Sequence, residues 1–277
     1  MIHKILFLCS KTGFYWFHFS FFCCLDCRFV YQEGEHVTII VIENTKIMIQ
    51  FINLTKIYGE LKALDDISFQ ISAGEMVFIV GPSGAGKSTI MRLLYREDKP
   101  TSGQVFVSGV DVSKLPNNQT PLLRRRMGIV FQDFKLLQNK TSYENISYPL
   151  YAIGMDHLEI KKRVFGALKV VGLTNKGNDF PKNLSGGEQQ RIGIARAIVQ
   201  GPSLLIADEP TGNLDPQTSM EIFQLLERIN QRGTTVLVAT HNQQMVNQMK
   251  KRVICLSGGR IVSDVQSGTY VTSASSA

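Results

Sequence analysis

The sequence predicts an α/β fold with a parallel sheet at its centre, and three observations predict it. Short apolar runs, Met76 to Val80, Leu204 to Ala207 and Thr235 to Thr240, read as strands buried on both faces, as parallel strands covered by helices are. A glycine-rich turn follows the first of these runs and opens a helical pattern, Thr89 to Leu94. The composition is that of a globular chain: 277 residues, 44% hydrophobic and 19% charged, with 23 Gly and 9 Pro, which excludes disordered, collagen-like and disulfide-stapled classes.

In chain order, residues 1 to 47 stand apart. They hold 10 of the 25 aromatic residues and three of the five His, with no helical or strand period sustained through the run from Phe14 to Phe22. Only 14 uncharged residues lie between Lys11 and Asp26, short of the roughly 20 that a spanning helix needs. No small-residue cleavage site follows, so the segment does not read as a signal peptide. Cys24 and Cys27 form a C-x-x-C near Cys9, Cys23 and His18, but the second spaced pair that a tetrahedral metal site requires is missing. With Cys255 the only cysteine beyond, the bulk of the chain has no disulfide framework and reads as a protein of a reducing, cytoplasmic compartment. Met48 opens a strand-like stretch, Ile49 to Leu54, and one expectation is that translation starts there. Further strands are expected at Ile67 to Ile71 and, as one strand, Gln104 to Val112. A polar, mostly helical section runs from about Thr141 to Lys182. The chain closes as strand, Gly258-Gly259 turn, strand, then a small polar tail. The expected division is an extension 1–47, a folded domain 48–265 and a flexible tail 266–277.

Four strings carry chemistry. Gly81-Pro82-Ser83-Gly84-Ala85-Gly86-Lys87-Ser88 fits G-x-x-x-x-G-K-[ST] between a strand and a helix, where glycines let backbone N–H groups turn around phosphate oxygens. The helix N-terminus adds its positive end, Lys87 reaches the β- and γ-phosphates, and Ser88 is a Mg²⁺ ligand. Leu204-Leu205-Ile206-Ala207-Asp208-Glu209 ends a buried strand in two acids. Asp208 is expected to hold Mg²⁺; Glu209, pointing to the other side of an extended chain, is expected to face the attacking water as base. Met127 to Phe131 runs into Gln132, and Val236 to Thr240 into His241, which would meet the same sheet edge. Gln132 would serve Mg²⁺ or the lytic water and His241 the γ-phosphate. Finally, Leu184-Ser185-Gly186-Gly187-Glu188-Gln189-Gln190-Arg191 contains an S-x-x-E capping box and opens a second helix primed for an anion. One nucleotide already has its glycine loop, so this second phosphate-binding end implies a head-to-tail partner chain and an ATP sandwich.

These strings, with Asn213-Leu214-Asp215, occur in the order found in ABC-type ATPases, and the resemblance spans about residues 48 to 265. It implies a P-loop NTPase core with an N-terminal antiparallel β subdomain and an α-helical subdomain inserted at about 135–184. It also implies nucleotide contacts from Gly81, Ser83, Gly84, Ala85, Gly86, Lys87, Ser88 and Thr89, an adenine shelf at Tyr58, signature contacts from Ser185 and Gly187, and coupling of two protomers through Asp215. Within the family, Val130 to Leu137, Ala207 to Asp215, Gly233 to His241 and Leu94-Tyr95-Arg96-Glu97 look closest to the cell-division branch. The same strings are shared in part with ATPases of lipoprotein-release and macrolide-export systems. Asn242 departs from the Asp usual after that His. The resemblance implies ATP and Mg²⁺ as cofactors, a homodimer, an integral membrane subunit docked around Phe134 to Tyr148, and a peripheral place on the cytoplasmic side of the plasma membrane.

Other classes fit less well. A GTPase needs N-K-x-D to read guanine, and Asn175-Lys176-Gly177-Asn178 lacks the Asp. The 98 residues from Lys87 to Ser185 leave no room for the coiled coil of DNA-repair relatives. The net charge of +7 suits nucleotide phosphates or an anionic membrane surface and decides nothing alone. The basic runs Arg124 to Arg126, Lys161 to Arg163 and Lys250 to Arg252 have no interleaved aromatic platform, so they read as solvated faces and not as a nucleic-acid site.

Overall fold

A computed structural model describes residues 47–268 in full and, before them, the backbone of four short strands. The chain divides into two compact units, Met1–Thr45 and Lys46–Ala277. In the first, β1 (Cys9–Ser10) pairs antiparallel with β2 (Gly13–Phe14), and β3 (Phe29–Glu33) pairs antiparallel with β4 (His36–Ile40). The Cys24 and Cys27 pair, His18 and most of the aromatic run lie outside the described residues, as does the expected tail from residue 269 onward.

The second unit opens with two long antiparallel strands, β5 (Ile47–Tyr58) and β6 (Leu61–Ser72), and continues through β7 (Met76–Val80) into α1 (Lys87–Leu94). The stretch expected as one strand is a hairpin, β8 (Ser102–Val107) and β9 (Val110–Asp111). Ser108 at φ 49° and Gly109 at φ 78° form its two-residue turn. Both central residues at positive φ match the twist of paired strands, and only Gly109 signals this in the sequence. The short α2 (Thr120–Arg124) leads to β10 (Met127–Val130). Two helices, α3 (Ser142–Tyr151) and α4 (His157–Val171), fill the section read as helical, and α5 (Gly186–Ile198) follows. Then come β11 (Leu204–Asp208), α6 (Pro216–Asn230), β12 (Thr235–Thr240), α7 (Gln243–Met249), β13 (Arg252–Ser257) and β14 (Arg260–Val265).

Six strands form one sheet in the order β10-β11-β12-β7-β13-β14, parallel throughout except for the antiparallel edge strand β14. Four form a second, antiparallel sheet, β6-β5-β8-β9. Strand alternation divides the core between the two faces of the parallel sheet. Met76, Phe78, Val80, Leu205, Ala207, Val236 and Val238 pack with α3 to α6 on one face. Val77, Ile79, Leu204, Ile206, Leu237 and Ala239 pack with α1 and the antiparallel sheet on the other. Strands buried on both faces have no polar face to alternate with, which is why they read as unbroken apolar runs.

Arg124 to Arg126 and Lys250 are exposed, as solvated faces are, but two guanidiniums of these runs also make specific bonds. Arg252 lies in β13 and pairs with Glu75 at 3.0 Å and Asp264 at 2.7 Å, tying the turn before β7 to β13 and β14. Arg124 donates to the Tyr95 carbonyl at 2.8 Å and the Arg96 carbonyl at 3.3 Å. Each guanidinium satisfies backbone or carboxylate acceptors that a charge count along the sequence does not see.

Candidate functional site

β7, β10, β11 and β12 run parallel in one sheet, so the residues that follow each of them fall along one edge, the carboxyl edge. The loop after β7 approaches its surroundings so closely that it needs glycine. A Cβ on Gly81, at φ 152°, would lie 2.3 Å from the Leu256 carbonyl oxygen. One on Gly86, at φ 105°, would lie 2.7 Å from the Ala63 carbonyl oxygen and from Leu64 Cδ2. Gly84, at φ 77°, has nothing within 4 Å and faces open space. Gly86 caps α1 without a side-chain acceptor, and the first turn carries no acidic residue. The N–H groups of that turn are thus offered to an outside acceptor, which suits an anion. Lys87 is buried, and its Nζ donates to the Gly81 carbonyl at 2.9 Å and the Pro82 carbonyl at 3.1 Å, so the cation is held across the mouth of the loop.

The second half of the site comes from β11 and β12. The Ser88 hydroxyl donates to Asp208 Oδ1 at 3.3 Å. Burial pushes the Asp208 carboxyl above its ordinary value; the Ser88 hydrogen bond and the nearby Lys87 and Arg92 charges act in the opposite sense. A half-desolvated carboxylate beside a hydroxyl is a donor set that a divalent cation would complete, so Ser88 and Asp208 fit Mg²⁺.

Glu209 is not on an extended chain as strand alternation would have it. β11 ends at Asp208, and Glu209 has left-handed backbone, φ 47°, with its N–H bonded to the Ala239 carbonyl at 2.9 Å. That kink, and not the pleat, directs its carboxylate away from Asp208. Its Oε1 lies 3.8 Å from Lys87 Nζ and 2.9 Å from His241 Nδ1, and its Oε2 accepts the His241 N–H at 3.3 Å. The structure thus brings Lys87, Glu209 and His241 into one cluster and Ser88 and Asp208 into an adjoining one. Gln132 lies against Gly212, where a Cβ would come within 2.8 Å of its Nε2, in the loop that follows Glu209.

Gly187 and Asp215 meet at Thr218, and Ser185 starts the helix that carries Gly187. Asp215 caps α6 by accepting the Thr218 N–H at 2.9 Å, and a Cβ on Gly187 would lie 2.5 Å from Thr218 Cγ2. The Thr218 hydroxyl first, and then its N–H, hold the Asp215 carboxyl below its ordinary value. Ser185 and Glu188 close the capping box, at 3.2 Å and 2.8 Å. The Ser185 and Asp215 side chains thus bond to their own helix starts, α5 and α6, and not to the glycine loop of the same chain.

Sequence reasoning missed the side chains that bind these pieces together. Gln190 on α5 is fully buried and donates to the Pro210 carbonyl at 2.6 Å and the Phe131 carbonyl at 3.4 Å. Arg196 donates to the carbonyls of Phe134 at 2.9 Å and Lys135 at 2.7 Å, two residues at positive φ. The signature helix therefore grips the chain on both sides of Gln132. Tyr58 stands at the end of β5, its hydroxyl donating to Asp98 Oδ2 at 2.5 Å, with Lys56 Nζ 4.5 Å from the ring centroid. Lys56 was detectable as the residue two before Tyr58 on a strand, hence on the same face.

A family model described as ABC transporter matches residues 64–212, more than half of the chain. This chain belongs to the ABC transporter family, as one of its ATPases. The cell division ATP-binding protein FtsE of Bacillus subtilis is 52% identical over 224 residues, covering 80% of this chain and 98% of the relative. FtsE of Mycobacterium tuberculosis is 53% identical over 225 residues, covering 80% and 98%. FtsE of Escherichia coli K12 is 45% identical over 215 residues, covering 77% and 97%. Among solved structures, the dimeric ABC transporter cassette MJ0796 is similar with a TM-score of 0.73 and 37% identity, covering 80% of this chain and all of that one. A post-hydrolysis dimer of the same cassette, bound to ADP and Pi, aligns equally well, at 0.73 and 36%. The ABC ATPase fold and the ability to bind nucleotide follow from this membership. Among the described residues of the ABC chain, no helix is long and apolar enough to cross a membrane.

Proposed function

We propose that this ATPase binds Mg·ATP between two head-to-tail copies and, on hydrolysis, drives a conformational change in an FtsX-like integral membrane partner acting in cell division. The observation that carries the proposal is the convergence of Lys87, Asp208, Glu209 and His241 on one sheet edge beside an uncapped helix N-terminus. Gly81 to Thr89 wrap the phosphates, and Lys87 neutralises their charge once it releases the Gly81 and Pro82 carbonyls. Ser88, Asp208 and Gln132 would hold Mg²⁺, which supplies positive charge to the phosphate oxygens. Glu209, anchored by His241, takes a proton from the attacking water; His241 then lies where it can meet the γ-phosphate. Ser185, Gly187 and Asp215, whose recorded contacts are with α5 and α6 and not with the glycine loop of their own chain, serve the nucleotide of the other copy. The dimeric state of the MJ0796 cassette supports that arrangement.

The FtsE relatives support the cell-division branch. In this reading the chain sits on the cytoplasmic face of the plasma membrane, held there by its partner around residues 134–148. The test is Glu209→Gln. Loss of the base should lower turnover by about 10²- to 10⁴-fold with ATP still bound, and the dimer should then persist in size-exclusion chromatography with ATP. Turnover equal to that of the unaltered chain would remove Glu209 from the base role. The same variant, used with ATP to capture partners from native membranes, should retain a four-span protein with one large extracytoplasmic loop. Capture of a lipoprotein-release or macrolide-export component would leave the chemistry intact and move the biology to transport.

A further inference from the structure

The end of β5 holds a lysine in an uncommon setting. The Lys56 side chain is only 13% exposed, although lysine is seldom buried without a partner. Its ammonium donates to the Lys99 carbonyl at 2.8 Å, lies 4.0 Å from Asp98 Oδ1, and sits over the Tyr58 ring at 4.5 Å from the centroid. Asp98 in turn accepts the Tyr58 hydroxyl. The two segments are stitched by backbone as well: the Ile57 N–H donates to Thr101 Oγ1 at 3.0 Å and the Thr101 N–H to the Thr55 carbonyl at 2.9 Å. Tyr58 is therefore held at its hydroxyl and on one ring face, while 36% of the residue stays open to solvent. Burial and Asp98 push the Tyr58 hydroxyl up, and Thr89 and Arg92 of α1 act against them, which puts the ring near the start of that helix.

We infer that Lys56 and Asp98 are positioning residues that set Tyr58 as a one-sided shelf for the nucleobase, Lys56 covering one ring face and leaving the other for stacking. The inference rests on the reading of Tyr58 as the base shelf and adds to it the two side chains that fix the ring and the face it offers. A cation over one face holds the ring electrostatically, and a carboxylate at the hydroxyl stops it turning, so less ordering remains to be done when a base stacks.

The experiment compares two ligands on the full-length chain by calorimetry in Mg²⁺ buffer: ATP, which has a base, and inorganic tripolyphosphate, which does not. Lys56→Met and Asp98→Ala should each weaken ATP binding by about threefold to tenfold and leave tripolyphosphate binding unchanged. Lys56→Arg, which keeps a cation over the ring, should restore ATP binding. In a Tyr58→Leu chain, adding Lys56→Met should change nothing further. Equal losses for both ligands, or the same loss from Lys56→Met without Tyr58, would overturn the positioning role. If Tyr58→Leu itself leaves the ratio of the two affinities unchanged, the shelf reading falls and takes this inference with it. If Tyr58→Leu shifts the ratio and Lys56→Met does not, only the positioning role falls.

Discussion

The N-termini of α1 and α5 are both rich in glycine, yet they are finished in opposite ways. α1 starts at Gly86 with left-handed backbone and no side-chain cap. α5 starts at Ser185, whose hydroxyl accepts the Glu188 N–H while the Glu188 carboxylate accepts the Ser185 N–H. The Ser185 backbone N–H holds the Glu188 carboxyl below its ordinary value, so this box is closed by a charge-assisted bond. The difference teaches that glycine content alone does not make a phosphate site. α1 spends no side chain on its own end and leaves its donors to an incoming anion. α5 already has its end closed by its own side chains, so in the proposed reading an incoming phosphate would meet a helix start that is complete without it.

Substitutions at the two helix starts put that contrast to the test. Gly86→Ala should be the most damaging change, costing about 3 kcal/mol in denaturant unfolding, because a Cβ at positive φ would press on the Ala63 carbonyl oxygen. Ordinary capping preferences would make a change at such a position mild, so a small loss would show that the α1 entrance can relax. Lys87→Ala should weaken ATP binding by about 10- to 100-fold by calorimetry, the worth of a charge-assisted hydrogen bond to phosphate. Ser185→Ala, which opens the capping box, should cost about 1 kcal/mol of stability. A larger loss would mean that α5 depends on its cap more than a packed helix should.

Asp208→Asn gives the smallest and most diagnostic shift. Burial raises the folded-state pKa of Asp208 above its unfolded value, so the charged form opposes folding at neutral pH. The stability linked to its proton is fully present below the unfolded pKa and is lost as pH rises through the folded one. Asn removes that burden, so the nucleotide-free chain should melt slightly higher at pH 7, with the gain fading as pH falls toward the ordinary carboxylate range. A melting temperature that moves equally at all pH values would assign the effect to packing.

Much of the site was legible because its parts are contiguous strings. Strand, glycine loop and helix follow one another from Met76 to Leu94, and the capping box of α5 spans four residues, so local rules suffice to find them. The hairpin β8–β9 was not legible, because Ser108 adopts a backbone conformation that few serines take. Glu209 was found for its residue type, but its left-handed backbone was not foreseen, because strand alternation ends at the residue before it. The bonds of Arg252 and Arg124 were not legible because their acceptors, Glu75, Asp264 and the carbonyls of Tyr95 and Arg96, are not neighbours in the sequence.

The sequence by itself therefore determined the parallel α/β core, the phosphate loop and the residue types that surround it, since each is encoded within a window no longer than one strand–turn–helix unit. Only the tertiary structure decided which of those residues meet. It set Lys87 against Glu209 and Glu209 against His241, and it placed Asp98 at the hydroxyl of Tyr58 and Lys56 over its ring. The physical reason is that these contacts depend on strand register and on single backbone angles, such as φ 47° at Glu209, that no local pattern specifies.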